Sequence, residues 1–318
     1  MTTARTLPDA GSVVSDAGGN AATIGRLLDA LALRFGGANG MPARAEARDL
    51  IAAVLDVPRF WPSAHRDVEI TVEDGARIQD AATRFSRGMP LPYAVRRAAF
   101  RHLSLYVDER VLIPRPETEL LVDIVLEATS GGRGTVIDIG TGSGAIALAL
   151  AAEGGFDRVI GTDVSADALA VAQLNADYVQ ARGVRTPKGA SSHTARNRPA
   201  IEWCQGSYFA PVRGVRADVV VSNPPYISPR EANELPALVR DWEPAVALFA
   251  ENDGMAAIAG VVDGAGSALS SGGVLVIEID SRRSEHATAL MRDAGCYRDV
   301  VVRTDLTGRP RFACARRV

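Results

Sequence analysis

With 318 residues and 47% hydrophobic content, the chain can form one large or two modest domains around a substantial core, without disulfide staples. A formal net charge of −3 gives no general attraction to nucleic acid, and three scattered cysteines, Cys204, Cys296 and Cys314, argue against both a disulfide framework and a zinc cluster, which fits a reducing cytoplasm. No stretch approaches the roughly 18 to 20 apolar residues that span a bilayer, and Met1 to Asn20 lacks the apolar core of a signal peptide, so the tail 1–21 is expected to be disordered.

Along the chain, apolar residues recur at helical spacing over Ala22–Phe35, Ala43–Leu55 and Glu73–Phe85, separated by Gly36-Gly37 and by Pro58 to Pro62. This predicts a small helical domain over 22–90. Arg87-Gly88-Met89-Pro90 ends it. Phe100, Leu103, Leu105 and Val107 then alternate as in a strand, with Asp108-Glu109 as the expected turn into Val111-Leu112-Ile113, so 91–116 reads as a β-hairpin linker. From 117 to 318 helices and strands alternate, with strands expected at 135–139, 158–163, 201–205, 217–222, 273–279, 298–303 and 310–316. That order predicts an α/β domain whose parallel sheet is wrapped by helices and ends in an antiparallel hairpin turning at Thr307-Gly308-Arg309.

Two motifs carry chemistry. Strand 135–139 runs into Gly140-Thr141-Gly142-Ser143-Gly144 and a helix starting at Ala145, and the next strand ends in Asp163. Glycines let backbone approach a ligand, a helix N-terminus offers free N–H groups, and Asp163 stands where ribose hydroxyls would donate to it. Gly140, Gly142 and Ala145 also satisfy the looser dinucleotide pattern. Asp138, just before the glycines, would repel a pyrophosphate but favour the cationic methionyl end of S-adenosylmethionine, directly or through water. The cofactor reading is therefore the methyl donor.

The second motif follows the apolar run Ala217–Val221: Asn223-Pro224-Pro225-Tyr226. An amide or exocyclic amine is a poor nucleophile because its lone pair is delocalised. The side-chain carbonyl of Asn223 and the backbone carbonyl of Pro224 offer two acceptors for one planar NH2 group, and Tyr226 an aromatic wall against it. A proline-stiffened turn with Tyr226 as a half-buried anchor explains the same residues structurally. His65, His102, His193 and His286 share no ligand spacing, so no metal is expected, and Trp61, Trp203 and Trp242 read as packing residues.

The chain resembles the HemK/PrmC group of class I methyltransferases, from Arg44 to the C-terminus. The resemblance rests on Val111-Leu112-Ile113-Pro114-Arg115-Pro116-Glu117-Thr118-Glu119, on Asp138 to Gly144, on Asn223 to Tyr226, and on Glu243-Pro244, Ala247-Leu248, Asp253-Gly254 and Asp305-Leu306. It implies a class I (Rossmann-like) catalytic domain with a seven-stranded sheet and a helical substrate-recognition domain. It also implies methyl transfer from S-adenosylmethionine to the glutamine amide of a Gly-Gly-Gln motif in peptide chain release factors, a protein partner rather than a stable nucleic-acid or membrane one. Glutamine methylation of a ribosomal protein, N6-adenine methylation of nucleic acid, and donor binding without turnover remain the alternatives. A monomer is expected, though nothing in the sequence fixes the oligomeric state.

Carried onto this chain, the resemblance puts the donor against Gly140 to Ala145 with Asp163 on the ribose, the substrate amide on Asn223, Pro224, Pro225 and Tyr226, and Arg115 on substrate backbone. Where the family often has an acid then an aromatic beside the adenine, this chain has Ser207 and Tyr208, so donor affinity is the property in question. Val95-Arg96-Arg97-Ala98 departs from the family's usual glycine and glutamate. The insertion Gln180–Ala200, with Lys188 and His193, reads as a mobile surface loop, or as a basic arm for ribosomal RNA or an acidic release-factor body.

Overall fold

The computed structural model describes residues 22–36, 41–182, 199 and 201–318. The tail 1–21 and residues 183–198 and 200 of the insertion, with Lys188 and His193, lie outside the described residues. Two compact units divide between Arg97 and Ala98.

The first unit contains α1 (Ile24–Gly36), α2 (Met41–Leu55), α3 (Trp61–Ala64), α4 (Val72–Phe85) and α5 (Leu91–Ala94). Leu28, Leu31 and Ala32 of α1 meet Ala47, Leu50, Ile51 and Val54 of α2 and Ile78, Ala81 and Ala82 of α4 in one core. These are the i, i+3, i+4 stripes that give each helix a single buried face. α4 starts where Thr71 accepts from the Asp74 N–H at 3.1 Å, with Glu73 and Asp74 favourable to the helix dipole in its first turn. The one-turn helices α3 and α5 each begin beside a proline and carry too few residues to show a period.

The second unit opens with a hairpin, β1 (Ala98–Phe100) and β2 (Leu103–Leu105), whose turn is Arg101-His102. The sequence reading put that turn at Asp108-Glu109, and this is corrected. Phe100 and Leu103 face each other across a two-residue turn, so the apolar alternation shifts by one residue between them, a step that marks the turn. Arg101 takes the left-handed conformation at φ 53°, and its guanidinium grips Glu153 through two bonds of 2.6 and 2.7 Å. Asp108 instead closes its own loop, accepting from the Arg110 N–H at 3.1 Å.

Then come α6 (Thr118–Ala128), β3 (Thr135–Ile139), α7 (Ala145–Glu153), β4 (Arg158–Asp163), α8 (Ala166–Arg182), β5 (Ile201–Gln205) and β6 (Ala217–Ser222). After the short α9 (Ala237–Arg240) and α10 (Ala245–Leu248) follow α11 (Ala256–Ala268), β7 (Leu269–Glu278), α12 (Ser284–Asp293), β8 (Tyr297–Thr304) and β9 (Pro310–Arg317). The seven strands lie in the order β5-β4-β3-β6-β7-β9-β8; the first five are parallel and β9 runs antiparallel to both its neighbours. Helices cover both faces, so β3 is buried along nearly its whole length, and α7, AIALALAAE, buries eight of its nine residues instead of one stripe.

This topology creates the site. From β3 the chain moves outward to β4 and β5, then returns across to β6 on the other side, so the crevice at the carboxyl ends of β3 and β6 is a topological switch point. Ile139 and Ser222 are paired in register, and the Ser222 hydroxyl donates to the Ile139 carbonyl at 2.7 Å. Gly140 and Asn223, the next residue of each strand, therefore leave the sheet side by side. Among the described residues no helix is long and apolar enough to cross a membrane, and no His/Cys/Asp/Glu group could hold a metal ion.

Candidate functional site

A cavity of about 440 Å³ opens at this switch point. Its walls include the glycine turn after β3, the end of β4, the segment 206–208, the turn after β6 and, from the other side, residues 110–118 and 246–251. Of the expected site residues, Gly140, Thr141, Gly142, Ser143, Ala145, Asp163, Ser207, Tyr208, Asn223, Pro224, Pro225 and Arg115 all line it.

The turn needs its glycines. Gly140, Gly142 and Gly144 have φ of 73°, 54° and 81°, a region that side chains rarely adopt. A Cβ at Gly140 or Gly142 would meet no atom within 4 Å, so both backbones are open towards the cavity. Gly144 differs: its Cβ would come within 3.0 Å of the Trp203 ring and 3.2 Å of Ala172 and Leu148, so it serves packing and is absent from the cavity wall. The turn is held from outside by Asn175, fully buried, whose amide donates to the Ser143 carbonyl at 2.9 Å and clamps the Tyr106 backbone by two further bonds.

Asp163 receives the Gly142 N–H on one carboxylate oxygen and the Ser165 N–H on the other, both at 2.9 Å. Burial pushes its carboxyl up from the ordinary aspartate range, against those N–H groups and that of Val164. Each oxygen keeps a lone pair for a ligand hydroxyl. Asp138 does not reach the cavity, which corrects the expectation of a direct or water-bridged contact. It is 0% exposed behind the turn, with one oxygen accepting from the Thr141 hydroxyl at 2.7 Å and the other, Oδ1, without a hydrogen-bond partner. Burial pushes this carboxyl up to about 7, the Asp163 charge adds to the rise, and the Thr141 and Ala147 hydrogen donors oppose it. A buried acid lacking a full set of partners beside an open glycine cradle favours a cationic ligand, whose charge in turn favours the ionised carboxylate.

Tyr208 has a left-handed backbone at φ 46°, and its ring packs against α11 where Gly260 leaves room: a Cβ there would be 2.8 Å from the ring. It is 38% exposed, an aromatic surface at the cavity rim beside Ser207.

At the other end, the Asn223 Nδ2 donates to the Thr118 hydroxyl oxygen at 3.2 Å, and that hydroxyl donates to Glu278 at 2.7 Å. With Glu278 ionised, the Thr118 proton is committed to it, so the Thr118 oxygen must accept from Asn223, and this sets the amide orientation. Asn223 Oδ1 is left as an acceptor without a partner among the described residues. Tyr226 is corrected: it is not part of the wall but packs half-buried on the core beneath β6 and β7, its hydroxyl pushed up to about 12 by burial and the Glu278 charge. Arg115 lines the cavity while donating to Glu243 at 2.6 Å, and buried Glu243 also accepts from the Ile113 N–H at 3.2 Å. Trp203 packs as expected, its ring over Gly161.

Sequence reasoning missed Thr118, Glu278 and Asn175 as site residues. Glu278 carried a signal: an acid at the carboxyl end of an apolar strand, where ligands of parallel sheets bind. Thr118 stood inside the 111–119 run but looked like ordinary helix-start chemistry, and Asn175 had no signal in mid-helix.

Two family profiles match the chain: PrmC N-terminal domain over residues 26–95 and Methyltransferase small domain over 116–240. The release factor glutamine methyltransferase of Moorella thermoacetica is 37% identical over 275 residues, covering 86% of this chain and 91% of the relative. Those of Bordetella pertussis and Salmonella typhimurium are 38% and 33% identical, each over 86% of this chain and 94% and 92% of their own lengths. Among solved structures, a methyltransferase from Pyrococcus furiosus overlaps 77% of this chain and 98% of its own, at 14% identity and a TM-score of 0.47.

Proposed function

This chain belongs to the release factor glutamine methyltransferase family, and from that membership we propose that it methylates the side-chain amide nitrogen of a glutamine, with the Gly-Gly-Gln motif of a peptide chain release factor as substrate. One observation carries the reading to named atoms: an acceptor oxygen, Asn223 Oδ1, and an open glycine cradle share one cavity because Gly140 and Asn223 leave paired strands together.

The residues fit S-adenosylmethionine. Gly140 and Gly142 leave their Cβ positions empty, Asp163 keeps acceptor capacity for hydroxyls, Ser207 and Tyr208 offer a hydroxyl and a ring to a base, and Asp138, when ionised, supplies negative potential from behind the turn. When bound, the donor supplies a methyl group on a positively charged sulfur. Everything else is positioning. Asn223 Oδ1 accepts one amide N–H, and the carbonyl of the adjoining Pro224 is suited to the other. Held so, the nitrogen turns its lone pair to the methyl, and both oxygens stabilise the positive charge growing on it. The apolar wall of Leu112, Pro114, Val246 and Phe249 excludes water and strengthens those dipoles. The alkylated nitrogen is acidic enough to release its proton to solvent, so no base is required.

The test is Asn223→Ala with calorimetry for the donor and a radiolabelled methyl assay on three substrates: a release factor, a ribosomal protein and adenine-bearing nucleic acid. Turnover on the release factor should fall about a hundredfold or more while donor affinity stays within about twofold. Normal methylation by the variant removes Asn223 from the mechanism, and activity of the wild type on nucleic acid alone replaces the substrate.

A further inference from the structure

Glu278 is a costly residue for this fold. It is 1% exposed, and its only hydrogen-bonded side chain among the described residues is Thr118, itself 4% exposed. No arginine or lysine forms an ion pair with it among the described residues, although Arg311 from β9 and Arg115 from the segment before α6 bear on it. A buried carboxylate without an ion-pair partner costs stability, and an apolar residue would fill this end of β7 more cheaply. Its position supplies the return. Ser222 and Ile277 pair in register, so Asn223 and Glu278 stand next to each other at the ends of β6 and β7, and Thr118, the first residue of α6, bridges them.

We propose that Glu278, acting through the Thr118 hydroxyl, is the positioning residue that decides which end of the Asn223 amide faces the substrate, a role that rests on the reading of Asn223 above. With Glu278 ionised, Thr118 donates to it and accepts from Nδ2, so Oδ1 faces the substrate nitrogen. With Glu278 protonated on Oε2, the oxygen that faces Thr118, its O–H donates to Thr118 Oγ1, the Thr118 proton turns to Asn223, and the amide flips to accept it. One proton is taken up, and the cavity then meets Nδ2, a donor opposed to the donors of a substrate amide. Glu278 is thus an acid switch on acceptor polarity.

The groups around Glu278 bear this out. Burial pushes its carboxyl up to about 7, the Thr118 hydroxyl and the Arg311 and Arg115 charges oppose the rise, and Glu117 adds to it. Tyr226 packs on the same side and stays neutral. The switch therefore falls within the working range of pH.

The experiment is single-turnover methyl transfer to a release factor from pH 6 to 8.5 at saturating donor, for wild type, Glu278→Gln, Thr118→Ser, Thr118→Val and Asn223→Ala. Saturating donor removes the binding effect of Asp138, which titrates in the same range. A single ionisation near neutrality gives the wild type an acid limb of about tenfold between pH 8 and pH 6. Glu278→Gln, which cannot ionise, should give a rate flat within about twofold. Thr118→Val should cut the rate about tenfold or more at every pH and lose the limb; Thr118→Ser should restore both, and thermal unfolding of each variant reports its fold separately. Donor affinity should not move. An acid limb that persists in Glu278→Gln, or a wild-type rate in folded Thr118→Val, overturns the proposal. If Asn223→Ala itself turns over normally, the underlying reading of the site has failed instead.

Discussion

Gly254 is where the acceptor turn is most easily displaced without touching the donor side. Its φ is 83°, and a Cβ there would lie inside the van der Waals envelopes of the Tyr226 carbonyl oxygen and the Arg283 Nε. Neither neighbour yields easily. The carbonyl belongs to the backbone three residues after Asn223, with two prolines between, and Arg283 is buried while donating to the Asp253 carbonyl at 2.8 Å and to Glu231 at 2.6 Å. In Gly254→Ala the left-handed conformation costs about 1 kcal/mol, and forced repacking adds about 1 to 3 kcal/mol. For the unit Ala98–Val318, where 1 kcal/mol moves Tm by about 2 to 4 °C, that lowers Tm by roughly 5 to 15 °C. Gly308→Ala is the control: φ is 82° with no atom within 4 Å of the new Cβ, so only the conformational cost applies, a drop of about 2 to 4 °C. A shift of the turn by about 1 Å misplaces the Asn223 acceptor enough to lower turnover about a hundredfold. Donor affinity should hold, because the glycine cradle follows a different strand. Thermal unfolding, single-turnover methylation and donor calorimetry on the two variants decide it. Equal melting of the two, or parallel loss of donor affinity and turnover, would refute the reasoning.

Asp138 and Glu278 should also shape stability against pH. Both have folded-state pKa values raised by burial to about 7, so the stability they contribute is present in full below the unfolded-state range near 4 and is lost as pH rises through 7. Each can account for up to about 3 kcal/mol between pH 4 and pH 8. Denaturant titrations of Asp138→Asn should show stability falling less steeply with rising pH than in wild type, and an unchanged slope removes Asp138 as the cause. Ser207→Asp should tighten donor binding about tenfold by giving the base amine a charge-assisted acceptor; unchanged or weaker binding by calorimetry would mean that Ser207 does not face the base. Gly142→Ala, whose Cβ would enter open cavity space at φ 54°, should cost only about 1 kcal/mol of stability yet weaken donor binding severalfold. A stable variant with full donor affinity would place the donor elsewhere.

What the sequence made legible was local, and what it hid was mostly contact between distant segments. The strand-turn-helix of 135–152 and the Asn-Pro-Pro turn after β6 announce themselves because glycine and proline restrict backbone geometry whatever surrounds them. Periodicity placed the three long helices of the first unit within two residues. It misplaced the hairpin turn because the apolar residues on both sides of the turn mask the one-residue shift in alternation between Phe100 and Leu103. Asp138 looked like a ligand contact by its place before the glycines, yet the next side chain able to reach it, Thr141, folds back and seals it in. Tyr226 looked like a wall for the substrate, but it packs on the core beneath the turn.

The Asn223–Thr118–Glu278 chain shows why the remainder was unreadable and why it matters. Its members are 105 and 160 residues apart along the chain, joined only by the β6–β7 register and the docking of the first turn of α6. No single segment carries a sign of it. Asn223 alone specifies an amide that can turn either end to the substrate, since its oxygen and nitrogen are nearly equal in size. The proposed transfer uses the oxygen, and the sheet biases that choice by placing a carboxylate one strand away and a hydroxyl between. The tetrapeptide therefore names the chemistry, while the pairing of β6 with β7 gives the chemistry its polarity.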